Sequence, residues 1–441
     1  MKSQNSIPAS KVERATRFVT TGLKVGGNYI KHYAKKAINP DLSRDELHED
    51  NAADIYSTLS ELKGSALKVA QMMSMDRNLL PKAYSERFQM AQYSAPPLSG
   101  PLVIKTFTKY FGKSPQLLFD SFGMDAANAA SIGQVHHATK DGKKLAVKIQ
   151  YPGVAQSVTS DLRMVKPFAV RLMNLSEQDV DKYMQEVEGK LLEETDYHLE
   201  LQRSQEISAA CSHIQGLVFP TYYPELSSER VLTMDWLEGL HLDDFLKTNP
   251  SQEVRNKIGQ ALWDFYDFQV HALRKVHADP HPGNFLMRAD GSLGVIDFGC
   301  VKEIPESYYT NYFTLINPDN LKDTAICERV FFNLEFLHTQ DTPAERKFYS
   351  DLFITMISLL GKPFHTSEFD FGDDVYFQSI YEYAEHLSNL KELRESKVVR
   401  GSKDSLYINR TYYGLYSMLN QLKAVVRTSS PEWLWQPVAV L

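Results

Sequence analysis

His277-Ala-Asp279-Pro-His281-Pro-Gly-Asn284-Phe285, followed by Leu293-Gly-Val-Ile296-Asp297-Phe-Gly299, decides how this chain is read. Asn284 stands five residues after Asp279, the interval of catalytic loops of the form H-x-D-x-x-x-x-N. Asp297 then closes an apolar strand and opens a D-F-G tripeptide. In such a pattern Asp279 orients a hydroxyl or a water. Asn284 and Asp297 bind magnesium, a hard ion that prefers oxygen ligands and bridges phosphate oxygens. The stretch therefore points to a phosphotransferase that holds Mg-ATP. A D-F-G alone says little. The second copy, Asp370-Phe-Gly372, has no catalytic loop upstream at the right interval and reads as structural. His277 and His281 read as a brace for the loop and a ring packed beside prolines, rather than as a metal pair.

Working toward the N-terminus, Ser131-Ile-Gly-Gln-Val-His-His-Ala138 and Lys144-Leu-Ala-Val-Lys-Ile-Gln150 alternate as two strands. Asp141-Gly142 between them signals a hairpin turn. Lys148, in Ala146-Val-Lys148-Ile, sits where a kinase lysine contacts the α- and β-phosphates and pairs with a helical glutamate. Glu193 and Glu194 are the nearest suitable partners, in a helical block over about 179–210. The segment before the lysine, Ala126-Ala-Asn-Ala-Ala-Ser131-Ile-Gly133-Gln, stands where ordinary kinases carry G-x-G-x-x-G. Alanine denies the backbone the close approach and positive φ that glycine allows, so this loop is expected to be stiffer over the nucleotide. Ser131 offers a hydroxyl to phosphate or metal.

Three regions follow, and together they predict an α+β, bilobal fold. Residues 1–97 read as helices, 98–235 as a small mixed lobe ending in the strand Arg230-Val-Leu-Thr-Met-Asp235, and 236–441 as a mostly helical lobe. Helices are expected over 52–75, 308–337, 344–360 and 401–426.

Composition agrees with a globular chain, since 43% of residues are hydrophobic and 23% charged. A net charge of −7 argues against a general nucleic-acid binder. The stretch from Lys11 to Lys36 carries +6 of that total, leaving −13 on the rest. Phe18, Val19, Leu23, Val25, Tyr29 and Ile30 interleave its lysines, so the segment reads either as a peripheral membrane contact or as a helix packed on the body of the protein. Cys211, Cys300 and Cys327 are few and scattered, which predicts no disulfide framework or zinc site. No secretory-type apolar leader and no apolar run near ~20 residues is present, so a cytoplasmic protein, peripheral to a membrane at most, is expected.

Over nearly its whole length the chain resembles the UbiB (AarF-like) family of atypical kinases. Ala129-Ala-Ser-Ile-Gly-Gln-Val-His136 is similar to that family's alanine-rich loop. Lys68-Val-Ala-Gln71 is similar to its K-x-G-Q motif and Glu194-Thr-Asp196 to its E-x-D motif. Ile7-Pro-Ala-Ser-Lys-Val-Glu-Arg14 and Glu368-Phe-Asp-Phe-Gly372 also look like family segments. The resemblance implies a kinase-like fold that binds ATP or ADP with Mg2+. It makes Lys148 and Glu194 the lysine–glutamate pair and Asp279 the catalytic acid. Asn284 and Asp297 become the metal ligands. Ala129, Ala130 and Ser131 would lie over the nucleotide, and Met234, Asp235, Trp236 and Leu237 would form the hinge against adenine. Lys68 and Gln71 would belong to an N-terminal extension over the active site, with Glu200 as a partner for Lys68. Proteins of this kind support the biosynthesis of isoprenoid quinones or other lipids, with ATPase activity tied to membranes. Two positions depart from the pattern: Ala70 replaces a glycine, and Asn128 replaces an alanine.

Two other classes fit parts of the chain. A small-molecule phosphotransferase of the aminoglycoside or choline type shares the loop from His277 to Asn284. A non-catalytic lipid-binding scaffold would tolerate Asp297→Asn.

Overall fold

The computed structural model describes residues 11–38, 45–62, 68, 98–129, 132–173, 177–395, 398, 400–428 and 430–436. Gln71, Ala70, Ala130 and Ser131 lie outside them. The chain divides into two compact units, one of residues 1–202, 221–236 and 395–398, the other of 203–220, 237–394 and 399–441.

The first unit begins with α1 (Lys11–Ile38) and α2 (Asp45–Leu62), followed by α3 (Gly100–Phe111). Arg14 of α1 is buried and makes a two-pronged ion pair with Asp161, its Nε 2.7 Å from one carboxylate oxygen and its Nη2 2.5 Å from the other. One face of the basic helix is thus committed to packing, while Val19 and Ile30 stay largely exposed.

The hairpin is formed by β1 (Gly133–Lys140) and β2 (Lys143–Gln150). Asp141 and Gly142 both adopt positive φ, at 49° and 76°, as a tight two-residue turn requires. β3 (Val231–Asp235) pairs antiparallel with the other side of β2. Alternation then sorts β2 cleanly. Leu145, Val147 and Ile149 enter one core with Val103, Phe107 and Phe119. Ala146 turns to the opposite face with Tyr197, Leu201, Leu232 and Met234, which is also the face of Lys148. Gly133 is needed for close approach, since a Cβ there would meet the Ile149 carbonyl at 2.7 Å and the Tyr197 hydroxyl at 2.9 Å.

Helices α4 (Val154–Met173), α5 (Glu177–Glu194) and α6 (Tyr197–Ala210) follow the hairpin. The single helical block expected over 179–210 is therefore two helices. The break falls at Thr195-Asp196, where the Asp196 carboxylate accepts from the amides of His198 and Leu199 at 3.0 and 3.2 Å. A carboxylate that caps one helix favours a fresh start there over continuation of the previous one.

The second unit is organised on α7 (Gln252–Phe268), capped by Ser251 and burying Ile258, Leu262, Trp263, Phe265 and Tyr266. Its continuation, Gln269–Leu273, widens into a π-turn and ends at Arg274 with φ 55°. Two small antiparallel pairs carry the loop residues: β4 (Lys275–His277) with a strand at Val301–Glu303, and β5 (Phe285–Met287) with β6 (Leu293–Val295). The expected helix over 308–337 is three, Glu306–Thr314, Pro318–Lys322 and Thr324–Asn333, because Pro318 cannot continue a helix and starts a new one at its first position. The helix expected over 344–360 is α8 (Pro343–Leu360), opened by a Thr342–Glu345 capping box. The last, expected over 401–426, is α9 (Lys403–Leu422), which gives way to a strand at Val425–Arg427 that pairs with Glu368–Asp370. The second D-F-G lies at the end of that pair, with Phe371 wholly buried.

Asp267 on α7 and His271 lie 3.8 Å apart, yet they do not form an ion pair at neutral pH. Burial, then the neighbouring Asp264, pushes the Asp267 carboxyl up to about 7, while burial, then Arg274, pulls the His271 imidazole down to about 3. Because the folded carboxyl holds its proton more tightly than the unfolded one, its contribution to stability falls as pH rises from about 4 to about 7 and then levels off. Asp267→Asn is expected to gain about 1–2 kcal/mol over the parent at pH 8 and almost nothing at pH 4. Denaturant melts at the two pH values check this, and an equal effect at both would refute it.

Candidate active site

His277 ends β4 fully buried, and burial pulls its imidazole below the usual range, so the ring is neutral. Its backbone amide donates to the Gln269 side chain at 2.9 Å, and its Nε2 lies 2.8 Å from the Asp297 carbonyl oxygen. The π-turn that aims Gln269 thus fixes the strand, and the strand's histidine fixes the D-F-G segment. His281 accepts the Gly283 amide at its Nδ1, 3.0 Å away, and so shapes the turn that presents Asn284.

Asn284 is bonded on both sides. Its Nδ2 donates to the Asp279 carbonyl at 2.9 Å, and its own carbonyl accepts the Ile296 amide at 3.1 Å. With the nitrogen committed, Asn284 offers its amide oxygen. The Asp297 carboxylate accepts the Gly299 amide at 2.9 Å, and Phe298 is wholly buried among Phe219, Phe265 and His277. These bonds bring Asp279, Asn284 and Asp297 into one constellation within the second unit.

Asp279 has a partner that the sequence reading missed. Arg410 of α9 donates from Nη2 to Asp279 Oδ1. The helix is seated on the loop nearby: a Cβ on Gly414 would meet Pro280 Cγ at 2.3 Å, and Tyr407 packs with Ala278 and Cys300. Cys300 is therefore a small packed thiol, and burial pushes the Cys211 and Cys327 thiols up to about 12 and about 11.

In the first unit Lys148 Nζ lies 2.7 Å from Glu200 Oε1 and 5.2 Å from the centre of the Tyr197 ring. Lys68 Nζ lies 3.2 Å from Glu194 Oε2, and Glu193 turns to Lys190. The expected pairs, Lys148 with Glu194 and Lys68 with Glu200, are thus exchanged. The cause is the helix break. Tyr197 and Leu201 of α6 pack on the Lys148 face of the sheet, and Glu200 between them faces the same way. Glu194 ends the preceding helix instead.

The alanine-rich segment is partly a strand: Asn128 and Ala129 pair with Val135 and Gln134 of β1. Its Gln134 and His136 are buried and structural. Gln134 accepts the Leu98 amide at 2.6 Å, and His136 Nδ1 lies 2.7 Å from the Gly123 carbonyl. At the expected hinge, the Asp235 carboxylate is occupied by the Thr221 amide and the Tyr223 hydroxyl, the Trp236 amide donates to the Lys144 carbonyl, and the Trp236 and His137 rings lie tilted at 36° with centroids 3.8 Å apart. Met234 is buried with Leu232, and the boundary between the two units falls between Trp236 and Leu237.

This α+β fold and this constellation define an enzyme of the atypical kinase class. The chain belongs to the ABC1 atypical kinase-like domain family, whose model matches residues 90–330. It is 27% identical to atypical kinase COQ8B, mitochondrial, of Danio rerio, over 96% of this chain and 68% of that protein. It is 26% identical to atypical kinase COQ8, mitochondrial, of Saccharomyces cerevisiae, over 96% and 84%. Among solved structures it resembles the Mycobacterium tuberculosis Rv3197–erythromycin complex, with a TM-score of 0.59 and 26% identity over 87% of this chain and 94% of that one. The UbiB-type resemblance is thereby shown.

Proposed function

We propose that this chain is a magnesium-nucleotide-dependent kinase or ATPase that serves isoprenoid quinone or other lipid metabolism at a membrane surface. The observation that carries the reading is the bonded set of Asp279, Asn284 and Asp297. The donors suit a hard ion: the Asp297 carboxylate and the Asn284 amide oxygen, with coordination to be completed by phosphate oxygens and water. Asn284 and Asp297 would hold Mg2+, which when bound neutralises charge on the phosphates. Lys148, steadied by Glu200, takes the α- and β-phosphates. Asp279 holds the acceptor hydroxyl or water. The acceptor oxygen bonds to the terminal phosphorus as the bond to the bridging oxygen breaks. The nucleoside diphosphate departs, and the acceptor's proton passes to Asp279 and then to solvent.

The name of the yeast relative and the implied family role support a quinone-linked pathway. No helix among the described residues is long and apolar enough to cross a membrane. Exposed Val19 and Ile30 on the basic helix α1 support a peripheral contact instead. The test is ATP hydrolysis against magnesium concentration, with and without anionic vesicles. Turnover is expected to require magnesium and to rise with vesicles, and equal turnover in excess chelator would overturn the reading. In the same assay Lys68→Ala, which removes the ion pair to Glu194, is expected to shift the ratio of ATP to ADP affinity by about 10-fold, roughly one charge-assisted contact. A second reading, phosphorylation of a soluble hydroxylated compound, draws on the likeness to the Rv3197–erythromycin structure. Phosphate transfer to such a compound without vesicles would favour it.

A further inference from the structure

We propose that Arg410 is the positioning residue of the Asp279 carboxylate, fixing the direction from which that group holds the phosphoryl acceptor. The inference rests on the nucleotide-dependent reading above and adds to it a residue beyond 330, where the family match ends. Arg410 Nη2 donates to Asp279 Oδ1 across 131 residues of sequence. Both side chains are largely enclosed, 18% and 17% exposed, so the contact is not a solvated surface pair. A guanidinium presents its donors in a rigid plane, so it restricts the rotation of a carboxylate more than an ammonium does. Asp279 is also fixed through its backbone, because its carbonyl accepts from Asn284. Main chain and side chain of the catalytic acid are thereby held from different elements.

The helix that carries Arg410 is itself fixed against the loop. Gly414 allows contact with Pro280, Tyr407 covers Ala278 and Cys300, and Lys302 Nζ binds Asp404 Oδ1 at 2.6 Å. The Asn409 side chain accepts the Tyr312 hydroxyl at 2.6 Å. Arg410 therefore meets Asp279 from a rigid base, the condition under which a positioning group contributes to rate. Misplacing a reacting group by about 1 Å costs on the order of 100-fold in rate.

The experiment compares the full-length parent with Arg410→Gln, Arg410→Lys, Lys302→Met and Asp297→Asn. Magnesium-dependent ATP turnover, nucleotide affinity and melting midpoint are measured for each. Arg410→Gln is expected to lower kcat by about 100-fold with nucleotide affinity unchanged. Arg410→Lys should recover part of that loss, because it returns charge without the planar fork. Lys302→Met removes a tether of the same helix without touching Asp279, so it should lower the melting midpoint and cost kcat far less than Arg410→Gln does. Parental kcat in Arg410→Gln, or equal losses in Arg410→Gln and Lys302→Met, would overturn the proposal and leave the helix as mere support. Parental turnover in Asp297→Asn would instead bring down the nucleotide reading, whatever Arg410 does.

Discussion

Asp297→Asn is expected to abolish magnesium-dependent turnover, with a loss on the order of 100-fold or more. The substitution is nearly isosteric, and its effect on folding should be small. The Asp297 backbone carbonyl still meets His277, and an amide oxygen can still accept the Gly299 amide. Phe298 keeps its buried place. Only the charge goes, and a neutral amide cannot replace a carboxylate opposite a divalent ion beside a polyphosphate. The check is steady-state ATP hydrolysis with a magnesium titration, alongside a melt to confirm the fold. Apparent magnesium affinity should fall, so that high magnesium rescues part of the loss. Parental turnover at low magnesium would show that Asp297 is not a metal ligand.

Lys148→Met is the second large effect, and it falls on stability as well as on nucleotide binding. Glu200 is buried, its side chain 1% exposed, and Lys148 stands 2.7 Å from its Oε1. Removing the ammonium takes its cation from a buried carboxylate in a face lined by Ala146, Tyr197 and Leu232. Breaking a buried pair in this way costs about 3–5 kcal/mol. The double variant Lys148→Met/Glu200→Gln should recover most of that stability while remaining inactive. Denaturant melts, with hydrogen exchange at β2 and α6 to localise the change, separate the two. A double variant no more stable than Lys148→Met would show that the pair is not the source of the loss. Glu194→Gln gives the contrasting case. It should leave β2 protected, since Glu194 pairs with Lys68.

The sequence made some of this legible because its signals are local. Asp141-Gly142 demands a tight turn, and the turn fixes which residues of β2 face Lys148's way. The interval from Asp279 to Asn284, with an apolar strand before Asp297, likewise needs only nearby residues, and the bonds linking those segments followed it. What failed was relation at a distance. Glu194 and Glu200 look equivalent along one uninterrupted helix. They part only when Asp196 is seen to cap a second helix, and an E-x-D motif does not announce that its aspartate is a cap. Arg410 left no signal, since one arginine on a long amphipathic helix reads as a solvated face. Only tertiary packing, with Gly414 against Pro280, shows that this helix meets the catalytic loop.

That seating of α9 bears on what counts as the smallest autonomous piece of this enzyme. A chain trimmed to the span of the family model would lose Tyr407, bare the Cys300 thiol to oxidants, and take from Pro280 its contact with Gly414. The span of the family model is therefore shorter than the span that seats the loop around Pro280, although the aligned relatives cover 96% of the chain. Truncation at residue 330 would yield a recognisable sequence with its central loop unsupported.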